Sequence, residues 1–192
     1  MELKFDLLKE NEIECRVGTC KENGLSLLLY KTARTDMAAL DRAVGAMNWK
    51  RTYREINGNL FCTIAIRNEE TGEWIEKEDV GTESFSEPIK GAVSDAAKRA
   101  ATAWGIGREL YTAPFIWISS DKCNIKQRNG KYQCNDDFIV EKIAYTANGE
   151  IRGLSIKNEK TGKRVFTWVN PNAQDELQVH EVQNAQKEQK TA

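Results

Sequence analysis

The spacing of apolar residues changes period along the chain, and each change marks an element. Met37, Leu40, Val44 and Met47 recur at helical spacing, which predicts a short amphipathic helix over residues 36–47 with Thr35 or Asp36 as its cap. Three strand-like segments follow, residues 49–56, 60–67 and 74–80, separated by Asn57-Gly58 and by the polar stretch 69–72, both suited to tight turns. In the second segment Leu60, Cys62, Ile64 and Ile66 alternate with Phe61, Thr63, Ala65 and Arg67, leaving one strongly apolar face. The three segments predict an antiparallel meander.

A longer helix is predicted over residues 87–104. Ser86 is placed to cap it, Pro88 stands at the first helical position where its missing N–H is harmless, and Gly105 and Gly107 stop it. On a helical wheel Ile89, Ala92, Val93, Ala96, Ala97, Ala100, Ala101 and Trp104 share one side, while Ser94, Asp95, Lys98, Arg99 and Thr102 share the other. Small alanines allow such a helix to lie close against a sheet.

Beyond it, Phe115, Ile116, Trp117 and Ile118 form an apolar run expected to pack on the core, and residues 119–135 read as a polar, lysine-containing loop. Residues 138–145, 150–157 and 163–169 predict a second meander, turning at Asn148-Gly149 and over residues 159–162, as a satellite unit. From residue 172 the chain is rich in Gln, Glu and Asn and too poor in apolar residues to offset its ordering entropy, so residues 172–192 are expected to be a disordered tail. The expected fold class is α+β, an antiparallel β-β-β-α core with an appended C-terminal β-meander. The expected division is 1–120, 121–171 and 172–192.

Composition narrows the function. With 28 Lys and Arg against 29 Asp and Glu, the 192-residue chain has a net charge of −1, so any affinity for nucleic acid has to come from a local patch. No stretch approaches the roughly 18 apolar residues needed to cross a bilayer, and residues 1–10 are too charged for a secretory signal. A cytoplasmic protein without membrane partners is expected. Its five cysteines contain no CxxC pair and read as free thiols; a zinc site of Cys15, Cys20, Cys123 and Cys134 is the sharper alternative, but the spacings are wider than zinc ligand pairs usually use.

Enzymatic signatures are absent: no GxxxxGK[ST] phosphate loop, no GxGxxG after a strand, no HExxH. The single histidine, His180, falls in the polar tail. Glu78 and Asp79 are candidates for holding Mg²⁺ in a nuclease, against the simpler reading of a solvated strand end. Trp49, Tyr53, Trp74, Trp104 and Trp117 are candidates for stacking on bases, although most fall on predicted core faces. No enzyme activity, metal or cofactor is expected.

The informative string is Glu78-Asp79-Val80-Gly81 followed by the run from Ala92 through Ser94-Asp95, Lys98-Arg99-Ala100 and Trp104-Gly105. It resembles the Rad fifty-two family of strand-annealing mediators of double-strand-break repair and their phage single-strand annealing relatives. In that family a β-β-β-α unit carries an EDVG-like strand end and then an A-V-[ST]-D-x-x-K-R-A helix. Residues 13–17, containing Arg16, resemble the segment whose arginine lines the same DNA groove, and Asn48-Trp49 resembles the opening of the first strand. The resemblance covers residues 12–110.

It implies a protein that binds single-stranded DNA by its phosphates in a groove containing Lys98, Arg99 and Arg16, with Lys90, Lys50, Arg51 and Arg54 extending the track. It further implies a homo-oligomer, a ring or helical filament, that pairs complementary strands in homologous recombination. A host single-strand-binding protein and a partner exonuclease are candidate partners, in a bacterial cytoplasm if the protein is phage-encoded. Two positions depart from the family pattern: Thr102 replaces an arginine and Asn59 a lysine, so a second, outer DNA track is left open. Three readings compete: the annealing oligomer, a metal-dependent nuclease, and a non-catalytic module that binds a repair partner. The plain alternative for Arg99 is a surface ion pair with Asp95 one turn earlier. Truncation after Pro171 is expected to leave single-strand binding intact in a gel-shift titration while removing contacts with a partner such as a host single-strand-binding protein; loss of folding would contradict the expectation for the tail.

Overall fold

A computed structural model describes residues 3–82 and 88–173. The chain is mixed α and β and divides into two compact units, residues up to 13 with 30–108, and residues 14–29 with those from 109 onward.

The first unit holds helix α1 (Ala33–Val44), strands β3 (Trp49–Ile56), β4 (Asn59–Arg67) and β5 (Trp74–Val80), and helix α2 (Pro88–Ala103). The strands form one antiparallel sheet in the order β3-β4-β5. Asn57-Gly58 makes the first turn with both residues at positive φ, 51° and 74°, as a two-residue hairpin of this hand requires. Asn68 builds the second: its side-chain oxygen accepts from the backbone of Glu70 and Thr71, and its carbonyl accepts from Gly72.

Helix α1 is capped by Thr32, whose hydroxyl accepts from the backbone of Thr35, instead of by Thr35 or Asp36. The cap moves because Lys31, Asp36, Ala39 and Leu40 are the buried positions, so the packed stripe starts earlier than the methionines suggested; Met47 is 88% exposed, beyond the helix end. The expected cap of α2, Ser86, lies outside the described residues.

The core of this unit joins Cys62, Ile64 and Ile66 of β4 to Ala96, Ala97, Ala100 and Ala101 of α2, with Ala39 and Leu40 of α1. Ile89, assigned to the packed side by the helical wheel, is 81% exposed; burial starts one turn later at Ala92. The alanines allow a close approach, and Gly81 at the end of β5 shows how close. A Cβ there would stand 2.1 Å from the carbonyl oxygen of Ala92 and 2.8 Å from the amide nitrogen of Ala96. The Trp104 indole N–H donates to the Ile64 carbonyl at 3.0 Å and fixes the far end of the helix.

The second unit is a six-stranded sheet, in which residues 138–169 are not a satellite. Their strands β9 (Phe138–Tyr145), β10 (Ile151–Asn158) and β11 (Arg164–Val169) continue through β1 (Glu14–Lys21), β2 (Gly24–Tyr30) and β6 (Ile116–Ser119) in the order β11-β10-β9-β1-β2-β6. Glu14 of β1 pairs with Ile139 of β9, a contact between distant sequence positions that local pattern does not reveal. The division into 1–120 and 121–171 therefore cuts across this sheet. Its core includes Leu25, Leu27, Ile116, Ile118, Ile151, Leu154 and Ile156.

Residues 119–135, expected as a loop, contain the hairpin β7 (Ile125–Arg128) and β8 (Lys131–Cys134), turning at Asn129-Gly130. Its mostly exposed strands lack the apolar alternation that marks a buried face. Of the segment expected to be disordered, residues 174–192 lie outside the described residues. The Gly81→Ala variant should lose about 1–3 kcal/mol of stability, because backbone atoms on both sides leave the new methyl no room. Urea unfolding measures this, and an unchanged midpoint would show that strand and helix can part without cost.

Candidate nucleic-acid interface

Helix α2 carries the Lys98-Arg99 pair because Ala96, Ala97, Ala100 and Ala101 occupy the packed face on either side of it. Lys98 is half-buried and Arg99 exposed. Arg99 donates through Nε to the Asp79 carboxylate at 3.2 Å, joining α2 to β5. The anticipated partner, Asp95, instead accepts from the backbone and hydroxyl of Thr82, at 3.0 and 2.9 Å.

Beneath Lys98 lies an ion pair that the sequence pattern did not suggest. Lys31 and Asp36 are 5% and 3% exposed, and the Lys31 ammonium donates both to the Asp36 carboxylate and, at 3.1 Å, to the carbonyl oxygen of Lys98. The alkyl stem of Lys31 occupies the space a side chain at residue 107 would need: a Cβ on Gly107 would stand 2.4 Å from it, and φ there is +69°. Burial pushes the Asp36 carboxyl up to about 6, against the opposing pull of Lys31, Lys98 and Arg51. The signal for this pair was a lysine and an aspartate five residues apart, on either side of a helix N-terminus, with no apolar period to mark them as interior.

The last carbonyls of α2 collect further cations. Lys77 donates to the Ala103 carbonyl at 3.0 Å with its ammonium 4.6 Å from the centre of the Trp104 ring, and Arg108 donates to the carbonyls of Thr102 and Ala103. Positive charge at the negative end of a helix is stabilising.

Strand alternation sorts the remaining candidates. Arg51 pairs with Ile64, placing it on the face of the sheet that α2 covers, with its guanidinium 5.4 Å from the centre of the Tyr53 ring. Lys50 and Arg54 fall on the opposite face. Lys50 lies over the Trp74 ring at 4.6 Å, and Arg54 donates through Nε and Nη2 to the two carboxylate oxygens of Glu78, at 2.7 and 2.6 Å. That pairing, with a hydrogen bond from Thr63, lowers the Glu78 carboxyl below its usual range. Lys90 is exposed near the start of α2, and Arg16 is exposed on β1 in the second unit. Lys98, Arg99 and Arg51 are thus gathered around α2, while Lys50 and Arg54 stand apart from them.

Glu78 and Asp79 do not converge as a metal pair: consecutive in β5, they point to opposite faces, and each is engaged by an arginine. Among the described residues no group of three or more His, Cys, Asp or Glu side chains is placed to hold a metal ion. Burial pushes the Cys15 and Cys123 thiols up to about 12 and raises Cys20 and Cys134 as well, which keeps all four protonated at neutral pH. Trp49 and Trp104 pack against the core, Trp74 and Tyr53 are partly exposed, and Trp117 stacks on Phe115. Among the described residues no helix is long and apolar enough to cross a membrane.

Residues 7–132, well over half of the chain, match the model of the Rad52/22 family of double-strand break repair proteins. The chain belongs to the Rad52/22 family. It is also similar to the single-stranded DNA-binding protein DdrA of Deinococcus radiodurans, 35% identical over 97 residues, covering 50% of this chain and 45% of that protein. DdrA of Deinococcus deserti is 34% identical over 95 residues, covering 48% and 46%. The chain therefore spans under half the length of these relatives. No solved structure matches it. Rad52/22 membership agrees with the expectation of a protein that is not an enzyme.

The buried pair can be tested by itself. Lys31→Ala, which strands Asp36, should destabilise the fold by about 3 kcal/mol in urea unfolding at pH 7, and Lys31→Met combined with Asp36→Leu should recover most of the loss. Equal stability of the single and double variants would show that the pair carries no such weight.

Proposed function

We propose that the protein binds single-stranded DNA by its phosphate backbone and anneals complementary strands during recombination and double-strand-break repair. The observation that carries this reading is the adjacent pair Lys98 and Arg99 on a helix locked to its sheet by alanines and Gly81, in a chain of the Rad52/22 family. Two long cations held at neighbouring angles on a fixed helix suit successive phosphates, and phosphate contacts read no sequence. Arg51 extends this surface, and Arg16, on β1 of the second unit, is a further phosphate ligand that the family resemblance implies. The relatives carrying the name single-stranded DNA-binding protein support the choice of ligand.

One copy presents too few cations for tight binding, because affinity grows with the number of phosphates neutralised. Assembly into a ring or filament repeats the same surface along the strand. Base pairing supplies the free energy of annealing, so no nucleotide cofactor enters, and the β-β-β-α arrangement of the first unit serves as the annealing core. The resemblance to phage annealing proteins implies a phage-encoded recombinase, with a host single-strand-binding protein and an exonuclease as partners.

Labelled complementary strands should pair faster with the protein than without it, with and without Mg²⁺, and remain uncut; scission would favour a nuclease instead. Replacing Lys98 and Arg99 together by Ala should reduce single-strand affinity at least tenfold, as expected when about two phosphate contacts are lost, while size-exclusion elution stays the same. Wild-type affinity in that variant would overturn the placement of the site.

A further inference from the structure

Asp36 stands out among the described residues because one of its carboxylate oxygens, Oδ1, accepts from Lys31 while the other, Oδ2, is buried without a hydrogen-bond partner. A buried carboxylate in that condition carries its charge only because nearby cations hold it there. Those cations come from three directions: Lys31 from the segment before α1, Lys98 from α2 and Arg51 from β3. Of the other charged side chains on α1, Asp41 accepts from the Trp49 indole, Arg42 donates to Glu12, and Arg34 is exposed.

Lys98 and Arg51 are thus shared between a buried carboxylate and the surface to which the function above assigns phosphate. Resting on that reading, we propose that Asp36 is a positioning residue of the strand-binding site, and that binding of single-stranded DNA at Lys98 and Arg51 is coupled to partial protonation of its carboxylate.

The coupling follows from charge. Without DNA, the fields of Lys98 and Arg51 favour the Asp36 anion. A phosphate that neutralises them withdraws this support, burial then favours the neutral acid, and a proton passes from solvent to Oδ2. The protonated oxygen becomes a donor where previously it was an unpaired acceptor. Asp36 in the free protein titrates near pH 6, and its carboxyl titrates higher once DNA is bound. By linkage, affinity is independent of pH below the free value, falls as pH rises between the free and bound values, and levels off above the latter.

The test is fluorescence anisotropy of a labelled oligothymidylate with the full-length protein between pH 5.5 and 8, at constant ionic strength because salt alone shifts such affinities. A histidine side chain ordinarily titrates in the same range, so His180, the chain's single histidine, is replaced by Gln in every protein used. Binding is expected to be roughly three- to tenfold tighter at pH 6 than at pH 8. Calorimetry in two buffers of different ionisation enthalpy should show net proton uptake at pH 7. Asp36→Asn should bind with little pH dependence and no uptake. Should that variant fail to fold, Lys31→Met with Asp36→Leu removes both buried charges and should be equally insensitive to pH. A pH-independent wild type, or a pH slope that survives in either folded variant, overturns the coupling. Failure to bind single strands at any pH overturns instead the function on which it rests.

Discussion

The first unit depends on how closely α2 approaches its sheet. At Gly81 strand backbone meets helix backbone with no side chain between them, while four alanines of the helix pack against Cys62, Ile64 and Ile66 of β4, and such contacts tolerate almost no added volume. Everything functional about the helix follows from that seat. A helix fixed along one face presents its remaining residues in fixed directions, so Lys98 and Arg99 project from a rigid support instead of a mobile surface. Trp104 and Lys77 secure the far end through the Ile64 and Ala103 carbonyls.

The same closeness explains the electrostatics. The cations around α2 are held by the protein's own acceptors: Arg99 by Asp79, Lys31 by Asp36 and the Lys98 carbonyl, Lys77 and Arg108 by the last carbonyls of the helix. Lys77 and Arg108, held by carbonyls and not by carboxylates, keep their full charge at the end of the helix in a chain whose net charge is −1. Arg54 shows the other outcome: tied through Nε and Nη2 to Glu78 on the opposite face, it is neutralised where it stands.

Much of this was legible in the sequence. Period-two alternation located β4 and the small-residue stripe identified the packed face of α2, because both patterns arise from burial along a single element, while turn chemistry bounded β3 and β5. Asn57-Gly58 marked its turn because both residues need positive φ. The stretches beginning at Asn68 and Asn158 share the order Asn-Glu-x-Thr-Gly and fold into the same turn, with matching backbone hydrogen bonds from Gly72 to Asn68 and from Gly162 to Asn158. What escaped was non-local or aperiodic. Nothing near Glu14 announces Ile139 as its partner, the hairpin around Asn129-Gly130 has no buried face to impose a pattern, and Lys31 and Asp36 are charged residues in an interior where composition expects none. Lys50, Arg51 and Arg54 lie close together in sequence, but a strand sends neighbours to opposite faces, so Arg51 alone of the three shares the face that α2 covers.

The pairing of β1 with β9 also sets an order of events during folding. The six-stranded sheet receives β1 and β2 early, but β9, the partner of β1, only after the whole span of the first unit has been synthesised, so a long loop must close before that seam can form. Until then the edge of β1 that β9 will cover exposes unpaired backbone groups, which are an invitation to strands of other chains. The first unit, with helix and meander contiguous in sequence, has no such wait. A ribosome-bound chain can therefore complete the surface carrying Lys98 and Arg99 while the second sheet is still half made.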